Sequence, residues 1–124
     1  MTGDELTIIS WGETVYRCLA ASRDFPGRIT VLDLRTIIPL DKDTVLESVQ
    51  NTGRALIVHE DTQTAGFGDE ISAMIAAEAF TDLDAPVQRL ATTDIPIPYD
   101  VGMMASILPN AEKIKGKIDQ LLAF

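Results

Sequence analysis

Short apolar runs alternate along the chain with longer stretches in which apolar side chains recur at helical spacing. The runs LTIIS (6–10), ITVLDL (29–34), ALIVH (55–59) and VQRLA (87–91) predict β-strands. The first three are β-branched and nearly continuously apolar, as strands covered on both faces are. Val15, Cys18, Leu19 and Ser22 form one helical stripe, with Phe25 beyond it. Val45, Leu46 and Val49 form another, with Asp41 after Pro39 as its N-cap and Asn51-Thr52-Gly53 as its stop. From about Gly68 to Phe80 the pattern predicts a helix apolar on two faces. Ile71, Met74, Ile75 and Ala79 make one stripe; Ala73, Ala76, Ala77 and Phe80 make the second. Such a helix is deeply buried, or packs on the sheet with one face and on another surface with the other. A last amphipathic helix runs from about Ala111 to Leu122, and TTDIPIPYDVG (92–102) is expected to be one long loop kept extended by its X-Pro steps.

This alternation predicts an α/β fold: a three-layer α/β/α sandwich on a mainly parallel sheet, joined by right-handed crossovers. The 124 residues make a single domain, 1–124, with no internal repeat or linker, and 46% apolar content excludes a disordered tail.

The net charge of −9 argues against nucleic acid and anionic membrane as partners and permits a basic protein partner. Cys18 is the only cysteine, so no internal disulfide forms, which fits a reducing compartment. Asp4 and Glu5 do not read as part of a signal peptide, and no apolar run is long enough to cross a membrane.

In a parallel sheet, ligands gather at the carboxyl ends of strands beside a switch in strand order. Four polar clusters belong on that edge: Ser10-Trp11-Gly12, Asp33-Leu34-Arg35, His59-Glu60-Asp61 and Thr92-Thr93-Asp94. They do not add up to a known catalytic set. One histidine and one distant cysteine are too few for a metal site. There is no G-x-S-x-G for a nucleophilic serine, and Gly12 stands alone where a dinucleotide fingerprint needs three glycines. GFGDE (66–70) carries acids where a phosphate would sit; Asp69 and Glu70 suit a helix dipole instead. The acid pair of a phospho-receiver is missing after the first strand. His59-Glu60-Asp61 reads as a proton relay or pH-sensitive contact, or as a histidine satisfied by hydrogen bonds at a strand end.

Three blocks, GDELTIISWGETVYRCLAAS, ITVLDLRTIIPLDKDTVLESVQNTGRALIVHED and GFGDEISAMIAAEAFTDLDAPVQRLATTDIPIPY, cover nearly the whole chain. In this order they resemble the C-terminal domain of transketolase-like enzymes, and most of all the beta subunit of the 2-oxo acid dehydrogenases. These are the thiamine-diphosphate-dependent decarboxylating components for pyruvate, branched-chain 2-oxo acids or acetoin. The resemblance implies a domain of a longer polypeptide, a separate beta subunit or a fused alpha–beta chain, in the bacterial cytoplasm or the mitochondrial matrix. It implies that thiamine diphosphate and Mg²⁺ belong to other parts of the parent enzyme, so no catalytic, cofactor-binding or metal residue is expected here. The implied work is packing with other subunits or domains, in a homo- or hetero-oligomer, and docking onto the lipoyl acyltransferase core. Met74 and Ala77 on the two-faced helix are candidates for the first role. The acidic surface and Phe124 at the LLAF end are candidates for the second.

The resemblance further implies strand order 2-1-3-4, which leaves Ile29–Leu34 on an edge and puts the switch between strands 1 and 3. The family's extra antiparallel strand before LTIIS has no counterpart in residues 1–4. Gly12, Arg35, His59 and Glu60 would line the crevice at the switch. A stand-alone regulatory or anion-binding domain would use that crevice; the same domain of another transketolase-like enzyme is the other rival. Two positions depart from the family pattern: Ala65-Gly66 where two glycines are usual, and Asp100 where a small residue follows Pro-Tyr.

Overall fold

A computed structural model describes residues 2–38, 40–94 and 100–124, with the backbone alone for 105 and 106. Along the chain these residues form β1 (Leu6–Ser10), α1 (Thr14–Ser22), β2 (Ile29–Asp33), α2 (Lys42–Thr52), β3 (Ala55–Thr62), α3 (Phe67–Glu78), a 3-10 turn (Phe80–Asp82), β4 (Gln88–Thr92), α4 (Val101–Ile107) and α5 (Ala111–Leu122). The sheet order is β2-β1-β3-β4, and every pairing is parallel. The expected order and the edge position of β2 are therefore both present. Thr2–Asp4 form no strand beside that edge; Gly3 N donates to Thr30 Oγ1 at 2.9 Å.

Alternation along the central strands divides the core. Leu6, Ile8, Leu56 and Val58 face a cluster with Val15, Cys18, Ile114 and Ile118 of α1 and α5. Ile9, Ala55 and Ile57 face Val45, Val49, Ile71 and Ile75 of α2 and α3. A period of two on the strands and near 3.6 on the helices makes three layers from this sequence. Thr7 is buried on the second side, where its hydroxyl meets Ser48 Oγ at 2.8 Å and Thr52 Oγ1 at 2.9 Å. A buried hydroxyl needs such partners. Asp41 caps α2 as expected, accepting from Thr44 N at 3.2 Å, and Gly53 ends the helix at φ 75°.

Arg54, just before β3, spans the amino edge of the sheet. Its Nη1 donates to the Glu5 carbonyl at 3.3 Å and its Nη2 to the Phe124 carbonyl at 2.7 Å.

β2 ends at Asp33 and β4 runs Gln88–Thr92, each one residue from the expected bounds, and three larger corrections follow. β3 continues to Thr62, past the expected end at His59. α3 stops at Glu78, because Ala79 leaves the helix at φ −124° and a 3-10 turn carries Phe80. The loop expected over 92–102 ends early, because α4 starts at Val101, with the Asp100 carboxylate accepting from Met103 N at 2.9 Å. Ile95 to Tyr99 of the DIPIPY block, Pro39 and Met1 lie outside the described residues.

Candidate functional site

The carboxyl edge between β1 and β3 is the switch point, and it is filled by the protein's own side chains. Ser10 Oγ donates to the Val58 carbonyl at 2.7 Å and lies 2.8 Å from Thr14 Oγ1, which donates to the Trp11 carbonyl at 2.8 Å. These bonds fix the turn into α1. The register pairs Ser10 with Val58, so the residues that follow, Trp11 and His59, come side by side. Their rings stack with centroids 5.2 Å apart and planes 9° apart, and Phe67 meets Trp11 edge-on at 6.0 Å. Aromatic pairs in such geometry add to their area burial.

His59 is fully buried. A Cβ at Gly66 would lie 2.9 Å from His59 Cε1, and one at Gly68 would overlap His59 Nε2. The two glycines of GFG therefore make room for the imidazole; they do more than ease entry into α3. Neither ring nitrogen has a hydrogen-bond partner among the described residues. The described residues thus do not supply the hydrogen bonds expected for this histidine, and no bond joins the ring to Glu60 or Asp61. Burial pushes the His59 pKa below its ordinary value. Asp61 opposes that shift, Arg89 reinforces it and Asp69 opposes it.

The other candidates each have local work. Glu60 pairs with Arg17 Nη1 at 3.1 Å, and the same nitrogen donates to the Pro109 carbonyl at 2.9 Å, tying the end of β3 to α1 and the start of α5. Asp33 accepts from Arg35 N at 3.0 Å, and Arg35 itself sits at φ 51° with an exposed side chain. Gly12 is exposed at φ 66°. Gly12, Arg35 and His59 thus do not line one open crevice: Arg35 faces solvent and His59 is sealed beneath Trp11. Thr92 Oγ1 donates to the Glu60 carbonyl, and Asp94 accepts from Thr64 N at 2.9 Å and from Thr64 Oγ1.

The N-terminus of α3 holds its own anion. Asp69 accepts from Ala65 N at 2.7 Å and is paired with Arg89. Among the described residues no group of three His, Cys, Asp or Glu is placed to hold a metal ion. Among the described residues no cluster fits a diphosphate and its metal.

The other candidate surface is α3 itself. Ile71, Ile75 and Ala79 are fully buried against the sheet, whereas Ala73, Ala76 and Ala77 are exposed and Phe80 is 72% exposed. Of the two alternatives for a two-faced helix, deep burial is corrected: one face is on the sheet and the other is uncovered in this chain. A groove of about 740 Å³ flanks it beside Ala76, Phe80, Leu83 and Val87. Another of about 490 Å³ lies beside Leu40, Ala73, Met74 and Ala77. Lys42 and Glu78 pair at 2.6 Å on the rim. Met74 is half-buried in the core on this side, and Phe124 is exposed at the far, amino edge. α4, which the sequence pattern did not reveal, exposes Val101 and Met103.

A family model described as Transketolase, C-terminal domain, matches residues 1–114. The chain is 39% identical over 126 residues to the 2-oxoisovalerate dehydrogenase subunit beta of Bacillus subtilis, a match covering 98% of this chain and 38% of that protein. It is 40% identical over 111 residues to the pyruvate dehydrogenase E1 component subunit beta of Rickettsia bellii, covering 87% of this chain and 34% of that one. A solved chain described as "Split gene transketolase, inactive beta4 tetramer" superposes with TM-score 0.82 at 18% identity, over 98% of this chain and 39% of that one. The chain thus spans little more than a third of the length of these relatives.

Proposed function

The chain belongs to the transketolase C-terminal domain family, and we propose from that premise that it is the non-catalytic subunit-packing and partner-docking domain of a 2-oxo acid dehydrogenase beta subunit. The parent enzyme would decarboxylate pyruvate or a branched-chain 2-oxo acid on thiamine diphosphate and Mg²⁺ and pass the acyl group to lipoyl-lysine. Those groups would be held outside residues 1–124. It would work in the bacterial cytoplasm or, in a eukaryote, in the mitochondrial matrix, beside other dehydrogenase subunits and a lipoyl acyltransferase core.

The observation that carries this reading is the outward face of α3. Ala73, Ala76 and Ala77 leave the helix backbone open to close approach, with Phe80 standing at their end and an apolar groove on either side. An exposed apolar face of this kind supports an interaction role. The acidic balance of −9 suits a basic docking module. The rival anion site has less behind it, because His59 is enclosed and Arg35 stands apart in solvent.

Sedimentation velocity over a range of concentrations tests the packing role. The chain should self-associate, and Ala77→Glu and Phe80→Glu should each abolish association without lowering the melting temperature. A wild-type chain that stays monomeric, or association that survives both substitutions, overturns it. Thiamine diphosphate with Mg²⁺ should leave the melting temperature unchanged; a clear rise would place a cofactor site in this domain.

A further inference from the structure

His59 is the only histidine in the chain and Trp11 the only tryptophan, and the two rings are packed face to face. The imidazole is closed in by Trp11 on one face and by Gly66 and Gly68 at its edge. While neutral, it serves as an aromatic filler that fits the space the two glycines leave. As an imidazolium it would carry two N–H donors, and no acceptor reaches either nitrogen among the described residues. It would also sit against the N-terminal end of α3, where no side chain caps Gly66 and the helix dipole is positive.

The charged groups around it do not resolve the conflict. Asp61 on β3 and Asp69 on α3 favour the charged ring, and Arg89 on β4 disfavours it. Asp61 already accepts from Thr62 N at 2.8 Å, and Asp69 is taken by Ala65 N and Arg89. Glu60, next in the chain, is paired with Arg17.

We propose that the Trp11–His59 stack is an acid-sensitive latch on the start of α3. One proton taken from solvent onto an imidazole nitrogen drives the ring out from between Trp11 and the two glycines. Trp11 and Phe67 are released and the first turn of α3 loosens, while the sheet and the rest of α3 stay folded. The opening is local because each side is anchored. Ser10 and Thr14 hold the base of the turn that carries Trp11. Beyond the first turn, Ile71, Ile75 and Ala79 fix α3 to the core. Between these anchors lies the mostly exposed segment 61–65, whose own bonds from Thr64 to Asp94 and from Arg89 to the Gln63 carbonyl keep its far side on β4 while the ring moves.

The single Trp and single His make the test direct. Tryptophan emission, far-UV circular dichroism and the NMR titration of the His59 C2 proton are followed on the same chain from about pH 7.5 to about 4. The expected result is a one-proton red shift of emission below the ordinary histidine pKa of about 6.5, tracking the His59 resonance, with the circular dichroism unchanged. His59→Phe and His59→Gln should each remove the step. Three results would overturn the latch: emission and circular dichroism changing together, emission staying flat while His59 titrates, or a step that survives in a folded variant. Should neither variant fold, comparing the two wild-type titrations decides.

Discussion

Arg89 on β4 grips Asp69 in the first turn of α3, and its Nη1 also donates to the Gln63 carbonyl at 2.7 Å. One cation therefore joins the β3–α3 loop, the helix it leads into and the neighbouring strand. Because Asp69 also accepts from Ala65 N, Asp69→Ala breaks two charge-assisted bonds in a half-buried setting. The expected loss is about 1–3 kcal/mol in urea unfolding at neutral pH, with Asp69→Asn losing less because one acceptor remains.

Ala65 sits at φ 59°, a left-handed conformation that favours glycine. The resemblance implies the first of two glycines at this position, and alanine in a left-handed conformation carries a backbone cost. Ala65→Gly should raise stability in urea unfolding by up to about 1 kcal/mol after the greater entropy of unfolded glycine is subtracted. Gly66→Ala should lower stability by about 1–3 kcal/mol, since a methyl there meets His59 and the Thr62 carbonyl.

Stability should fall with acid in two stages. The folded His59 pKa is depressed by burial, so below the ordinary value of 6.5 the unfolded state takes up its proton first. Its contribution is complete above 6.5 and is lost as pH falls through that value toward the folded one. Asp41 is held below the usual 3.8 by its bonds from Thr44, and Asp94 by those from Thr64. Their contributions persist until pH drops through 3.8. Urea midpoints across this range should show both stages, and His59→Phe should lack the first.

Burial pushes the Cys18 thiol up to about 12, against a smaller opposing effect from Ser10. The thiolate is the reactive form. In the native chain Cys18 should resist a thiol reagent at mildly alkaline pH and react promptly in denaturant; rapid native labelling would contradict its enclosure.

Asp100, the second departure from the family pattern, caps α4. Asp100→Ala should cost about 1 kcal/mol in thermal unfolding, and Asp100→Ser should recover most of it.

Much of the fold was legible because burial and spacing coincide. β1 and β3 lie under helices on both faces and read as unbroken apolar runs; α5, with one wet face, was placed to the residue. α4 was missed because VGMMASI has no clear apolar period and follows a proline-rich stretch, so its one local signal was the capping Asp100. The exposed second face of α3 was visible as a stripe, but whether the fold covers it depends on tertiary packing. The Trp11–His59 stack joins residues 48 positions apart, and no local pattern announces it. A signal did exist, since aligning LTIIS with ALIVH as adjacent parallel strands sets the residues after Ser10 and Val58 side by side.

Arg54 holds the carbonyls of Glu5 and Phe124 with the two arms of a single guanidinium. Glu5 and Phe124 therefore lie close together at the amino edge of the sheet, across the molecule from the Trp11 stack. A short glycine–serine bridge could join them and new ends could be opened elsewhere, giving a circular permutant with the same core. Surface attachment or labelling at either residue would likewise leave the carboxyl edge and the outward face of α3 unobstructed.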